Sequence, residues 1–218
     1  MPTDIEVFAD VLCPFTHVGL RRLVERRHEL GSTRLLRVRA WPLELVNGKA
    51  LAGSLVAEEI DALRDQVAPD LFAGFDVTRF PTTSRPALAL AAVAYRHSRD
   101  LGERVSLALR DALFEVGSDI AAPDVLADIA GAFGLETPDA GDDAAVVADW
   151  HEGRSRGVRG SPQFFIDGNN FFCPTLDIKR VGNHLRIAVD AAGYEEFLAC
   201  AFGPSSPGAL VRPGPQRI

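Results

Sequence analysis

The 218-residue chain is poor in sulfur: it has one methionine and three cysteines, Cys13, Cys173 and Cys200. Three cysteines are too few for a disulfide scaffold, and an odd number leaves at least one free within a monomer. Lysine is nearly missing, present only as Lys49 and Lys179, so arginine carries almost all the positive charge. That reads as genome composition, not as function. Long hydrophobic runs are missing too. The most apolar stretch, Ala87 to Ala94, is mostly alanine and far short of a membrane span. The opening residues, Met1-Pro2-Thr3-Asp4-Ile5-Glu6, lack the basic and apolar regions of a secretory signal. We therefore expect a cytoplasmic protein with no membrane partner, in which a cysteine is kept for its reactivity. Positive charge is in deficit as well, with a net charge of −7. Such a chain suits neither a nucleic-acid backbone nor an anionic surface, and no nucleic-acid partner is expected.

What is present describes a globular chain. Hydrophobic residues make up 47% and charged residues 24%, enough to bury a core without staples. Ile5 to Ala9 alternates as a short strand, and Asp10 to Pro14 breaks it. Phe15 to Leu30 has helical spacing, stopped by Gly31-Ser32. Leu35 to Trp41 alternates again, with Arg37 and Arg39 on one face. This β-α-β opening is the unit of a partly parallel sheet. From Asn47 to about Gly153 no strand is evident. Helices are predicted over 55–67, 85–100, 103–116, 123–133 and 142–152. Strand character returns in Gln163 to Ile166 and Phe171 to Cys173, around the turn residues Asp167-Gly168-Asn169-Asn170. A helix over Leu176 to Ala191 and a shorter one over Tyr194 to Ala201 are expected to follow. The tail from Gly203 is rich in Pro, Gly and Ser and reads as irregular. The fold class is thus α/β, a thioredoxin-like fold with an inserted all-helical subdomain. Residues 1–46 and 154–202 form the thioredoxin-like part, 47–153 the insertion, and 203–218 the tail.

Two segments can carry chemistry. In Cys13-Pro14-Phe15-Thr16 a cysteine follows a strand and opens a helix. Unpaired N–H groups and the helix dipole favour a thiolate there, so a lowered pKa is expected for Cys13. The competing reading is a small buried residue at a strand–helix junction. In Gly157-Val158-Arg159-Gly160-Ser161-Pro162 a proline opens an inner strand. It marks a special backbone, for which a cis bond is expected, with Ser161 N–H and C=O turned to an extended ligand. The alternative is an ordinary X-Pro turn.

These residues carry a resemblance. Phe8 to Gly19 resembles the active-site segment of the DsbA-like thioredoxin superfamily, in particular FrnE-like oxidoreductases and 2-hydroxychromene-2-carboxylate isomerases. Gly157 to Gly168 is similar to the cis-proline loop and following strand. Leu113 to Ile120 with Pro123 to Leu135 is similar to the inserted helical segment. The resemblance implies a thiol-disulfide oxidoreductase with Cys13 as nucleophile. FrnE-like members read Cys-Pro-x-Cys, whereas Thr16 stands at the second cysteine here. No redox cycle within the motif can run. Thr16 can instead donate a hydroxyl to the Cys13 sulfur, or be a routine first-turn residue. The resemblance places Cys173 near the substrate groove, where it would be a resolving thiol or a buried strand residue. Pro14, Phe15, His17, Ser161 and Pro162 are the expected substrate contacts, His17 being equally a packing residue. Cys200 reads as core. No tightly bound cofactor and no metal are expected; the histidines form no ligand-spaced pair. Glu58-Glu59, Asp142-Asp143 and Glu195-Glu196 read as solvated helix faces.

The expected partner is a protein or small-molecule thiol or disulfide, with glutathione or mycothiol as co-substrate; a homodimer is left open. A thiol-cofactor transferase or isomerase of the 2-hydroxychromene-2-carboxylate isomerase type is the second reading. A non-catalytic peptide- or ligand-binding module is the third. Fold alone does not choose among them.

Overall fold

The structure is a computed structural model that describes residues 5–139, 141–182 and 184–203. The expected irregular tail therefore lies, beyond Gly203, outside the described residues. Strand β1 (Ile5–Ala9) is buried almost throughout, because it is central. It pairs in parallel with β2 (Leu36–Ala40) and antiparallel with β3 (Gln163–Ile166). β3 continues into β4 (Asn169–Phe172), giving a four-stranded sheet in the order β2-β1-β3-β4. The hairpin turn is tighter than the sequence suggested. Only Asp167 and Gly168 make it, both with positive φ (48° and 86°), and pairing resumes at Asn169.

Helix α1 (Pro14–Glu29) connects β1 to β2. A short helix α2 (Leu43–Asn47), not foreseen in the sequence, follows β2. Then come α3 (Gly53–Gln66), α4 (Arg85–His97), α5 (Arg99–Phe114), α6 (Pro123–Ala132) and α7 (Asp143–Ser155). Ser98 caps α5 by accepting the Leu101 N–H (3.1 Å). One hydrophobic cluster includes Leu12 and Val18 at the start of α1, Val56 and Ile60 of α3, Leu109 and Leu113 of α5, and Cys173. The helices and the start of α1 thus share a core.

The segment 176–191 corrects the sequence reading. It is a hairpin, β5 (Leu176–Val181) paired with β6 (His184–Val189), and helix α8 (Ala191–Phe202) starts only after it. The period is two, not 3.6: Leu176, Ile178, Leu185, Ile187 and Val189 alternate with Asp177, Lys179, His184, Arg186 and Ala188, and Gly182 takes a positive φ in the turn. The hairpin packs on α3, where Gln66 clasps its edge. The Ile187 N–H donates to Gln66 Oε1 (3.0 Å), and Gln66 Nε2 donates to the Leu185 carbonyl (3.1 Å).

The outer edge of β2 is closed by side chains from three helices. Glu103 accepts the Leu36 N–H (2.5 Å), Tyr95 Oη accepts the Val38 N–H (2.9 Å), and Asp149 accepts the Ala40 N–H (3.0 Å). Each replaces a missing strand, which blocks edge-to-edge pairing. Glu103 also takes two bonds from the buried Arg27 (2.7 and 2.6 Å). Removing it would leave a guanidinium and a backbone N–H buried without their acceptor. We expect Glu103→Ala to lose about 3–5 kcal/mol in urea unfolding, and Asp70→Ala, which breaks only the exposed Arg22–Asp70 pair, to lose at most about 1 kcal/mol. Equal losses would refute this assignment.

Candidate active site

The site is built on the turn between β1 and α1. Pro14 takes the first helical position, where its missing N–H has no partner to lose, so Cys13 stands at the N-cap with extended backbone. Asp10 holds the turn. Its carboxylate accepts the N–H groups of Leu12 (2.9 Å) and Leu43 (2.6 Å) and the Ser84 hydroxyl (3.3 Å). Its carbonyl accepts the Cys13 N–H (3.4 Å) and a bond from Arg110 (3.3 Å).

The loop before β3 lies across this turn. Its Ser161–Pro162 peptide is cis. The Cys13 thiol donates to the Ser161 carbonyl at 3.2 Å. Ser161 Oγ accepts the Asp10 N–H (2.9 Å) and meets Thr16 Oγ1 at 2.8 Å. With Ser161 donating to Thr16, the Thr16 hydroxyl proton is left for the Cys13 sulfur. The Cys173 N–H donates to the Pro162 carbonyl (3.0 Å). The Cys13 thiol and the Cys173 backbone amide therefore bracket one dipeptide, Cys13 at Ser161 and Cys173 at Pro162. Cys173 is not the last strand residue; it stands just past β4 with φ 44°. Helix α1 runs beside this loop at Gly19, where an added Cβ would make only ordinary contacts, 3.6 Å from Thr175 Oγ1 and 3.9 Å from the Pro162 ring. Beside it, a cavity of about 260 Å³ is lined by Val18, Arg22, Thr175, Leu176, Val189 and Tyr194. The Thr175 hydroxyl is buried there without a partner.

The electrostatics correct the expected lowered pKa. Burial pushes the Cys13 thiol up from its ordinary value; hydrogen bonds from the Thr16 hydroxyl and amide and from Ser161 oppose this, and Glu59 adds to it. Cys13 is only 4% exposed, and the helix N-terminus does not offset its loss of water. Burial likewise pushes Cys173 up to about 12, with Cys13 adding to the effect. Glu59 is no solvated residue as its sequence suggested. It is half-buried on α3, and burial raises it to about 7, against the pull of Arg180. Burial also raises Asp10 to about 6, although Leu12, Leu43, Arg110 and Ser84 all favour its charge.

His17 is spent on packing. It is 1% exposed, packs against both the Phe72 and Phe114 rings, and meets Glu115 Oε1 at 2.7 Å. Glu115 also accepts the N–H groups of Phe72 (3.0 Å) and Ala73 (3.2 Å). Burial opposes the Glu115 charge, but the bonds from His17, Phe72 and Ala73 outweigh it and hold the carboxyl at about 2. Burial pushes His17 down despite Glu115. A neutral imidazole facing a carboxylate must place its proton on Nε2 and donate it. Pro14 is buried and Phe15 half-buried at the same helix start, and Phe15 packs against the helical core. Cys200 is half-buried on α8, at the edge of the second core cluster. Asp10, Glu59, Arg110 and Glu115 were missed in the sequence. Arg110 had a readable signal: it sits among Ser106, Leu109, Leu113 and Phe114 on the buried stripe of α5.

Comparison with known proteins gives the family and the fold. The family model of the DSBA-like thioredoxin domain matches residues 4–186. The chain belongs to that family. No curated protein matches it. Among solved structures, 2-hydroxychromene-2-carboxylate isomerase is similar at TM-score 0.61 and 13% identity, over 78% of this chain and 88% of that one. The cytosolic disulfide reductase DsbM from Pseudomonas aeruginosa is similar at TM-score 0.56 and 14% identity, over 92% and 93%. A structure of DsbM with GSH gives TM-score 0.53 and 15% identity, over 92% and 94%. These likenesses concern the fold of the DsbA-like chain. Among its described residues no helix is long and apolar enough to cross a membrane.

Asp10 gives a test with a definite sign. Its folded-state pKa is raised from 3.8 to about 6. Between those values the folded state keeps a proton that the unfolded chain has shed, so this group's contribution falls as pH rises. Relative to Asp10→Asn, the wild type should lose about 2 kcal/mol of stability between pH 4 and 6. Denaturant midpoints of both proteins across that window check it; parallel curves would contradict it.

Proposed function

We propose that the protein is a thiol-disulfide oxidoreductase with Cys13 as nucleophile and a low-molecular-weight thiol, glutathione or mycothiol, as co-substrate. The observation that carries the reading is the Cys13 thiol on the Ser161 carbonyl, with the backbone N–H of Cys173 on the neighbouring Pro162 carbonyl. In the resting state Cys13 is a hydrogen-bonded thiol. Once it has lost its proton, the Thr16 hydroxyl and amide stabilise the thiolate. The thiolate attacks one sulfur of a disulfide, forming a mixed disulfide and releasing the other sulfur as a thiolate. A second thiolate then attacks the mixed disulfide and frees the substrate half as its thiol. If that attacker is Cys173, a Cys13–Cys173 disulfide forms, and two external thiols reduce it. If it is an external thiol, attack at the Cys13 sulfur leaves Cys13 joined to that thiol, and a second external thiol regenerates Cys13. In either route the substrate disulfide gains two electrons and the external thiols lose them. Pro14, Phe15, Ser161 and Pro162 border the approaching substrate, and the helical segment 47–153 forms one wall of the cleft beside residues 1–46 and 154–202. The cytosolic DsbM and its structure with GSH support a cytoplasmic setting and a small thiol partner.

The protonated state of Cys13 also favours a second reading: an isomerase or transferase in which Cys13 holds the cofactor's sulfur by a hydrogen bond and never bonds to it. Intact-mass spectrometry after incubation with oxidised glutathione separates the two. The oxidoreductase reading expects one reductant-sensitive adduct or internal disulfide in the wild type and neither in Cys13→Ser. With Cys173→Ser, the adduct should persist if Cys173 resolves it. Tight binding of reduced glutathione without any disulfide would favour the second reading and overturn the first.

A further inference from the structure

One side chain carries the helical segment to the floor of the site. Arg110 is 1% exposed on the inner stripe of α5. Its guanidinium donates to the Ser106 carbonyl and hydroxyl, both at 2.8 Å, and to the Asp10 carbonyl at 3.3 Å. Its Nε is buried without a partner. All three acceptors are uncharged, which is a poor return for taking a guanidinium out of water; a buried cation is expected to serve an anion nearby. The carbonyl that it grips is the same one that accepts the Cys13 N–H (3.4 Å). Arg110 thus stands one peptide group from the backbone of the reactive cysteine.

We propose that Arg110 is a positioning residue for Cys13: through the shared Asp10 carbonyl it fixes the turn, and its charge lowers the cost of forming the thiolate. This rests on Cys13 being the nucleophile. The charged and titratable groups around the thiol come from every neighbouring element. They are Asp10 at the end of β1, Glu59 on α3, Cys173 after β4, and Arg110 on α5. Arg110 itself is also faced by Tyr95 of α4 and by Asp111 of its own helix. In that set Arg110 is the cation. Burial lowers it to about 10, with Asp10, Tyr95 and Cys13 opposing, so it stays charged at neutral pH.

The test is the pH dependence of Cys13 alkylation by iodoacetamide in the full chain, located by peptide mass mapping. Arg110→Gln keeps a hydrogen-bonding group and removes the charge. Its Cys13 titration should move to higher pH and its labelling rate at pH 7 should fall about tenfold. Arg110→Lys should recover most of that rate. Asp10→Asn, which removes the anion competing for Arg110, should move the titration the other way. A hydrogen-bonding role alone would be met by Arg110→Gln and would leave the Cys13 titration where it is in the wild type. If Arg110→Gln does not fold, Arg110→Lys and Asp10→Asn still decide: a Cys13 titration unchanged from wild type in Asp10→Asn overturns the proposal. Failure to label Cys13 at any pH in the wild type would instead remove the nucleophile reading itself.

Discussion

Asp10 commits every hydrogen-bonding atom it has to one turn. Its N–H goes to Ser161, its carbonyl to Cys13 and Arg110, and its carboxylate to Leu12, Leu43 and Ser84. Those partners lie on the loop before β3, in the turn that leads into α1, on α5, at the start of α2 and at the N-cap of α4. One residue therefore joins the sheet and the helical segment at the point where the thiol sits. A short acidic side chain suits the task, because a carboxylate accepts several N–H groups at once with little conformational entropy to lose. The strain of the arrangement is electrostatic. Full burial raises the carboxyl to about 6, so the turn is held by a group near its own titration.

The same competition sets the state of Cys13. Burial disfavours charge on the sulfur and outweighs the Thr16 hydroxyl and amide and the Ser161 hydroxyl, which favour it. The resting site is a protonated thiol hydrogen-bonded to the carbonyl beside which a substrate would lie. In this account the thiol is activated when its environment changes, not by a low resting pKa. The neighbouring Cys173, raised to about 12, is still less ready to ionise unaided. Burial thus holds both cysteines of the Ser161–Pro162 step as thiols, Cys13 on the Ser161 carbonyl and Cys173 beside it through its backbone amide on Pro162.

Much of the fold was legible. The alternation in Ile5 to Ala9, the helical spacing after Pro14 and the Asp-Gly turn each act locally, and local rules read them. The thioredoxin-like class followed from the order of strands and helices, and the family from the resemblance of the segments around Cys13-Pro14 and Ser161-Pro162. The hairpin over Leu176 to Val189 was misread, although its period of two was visible; an expected helix after β4 overrode the pattern. The level of the Cys13 pKa was out of reach because desolvation depends on what covers the residue. That cover includes α3 and the segment after β4, both distant in sequence. Glu59 looked solvated for the same reason: helical spacing does not say that a later hairpin will place Arg180 beside it. Asp10 and Arg110, one hundred residues apart, become partners only when α5 is laid against β1.

The central claim is that burial, more than the helix N-terminus, governs Cys13. The most direct measurement is thiolate ultraviolet absorbance of the wild type minus that of Cys13→Ser, followed across pH in the absence of substrate. The account predicts a Cys13 titration above the ordinary thiol value of about 9.0. A midpoint below neutrality would contradict it, and would mean that the helix N-terminus and the Thr16 donors outweigh the loss of water.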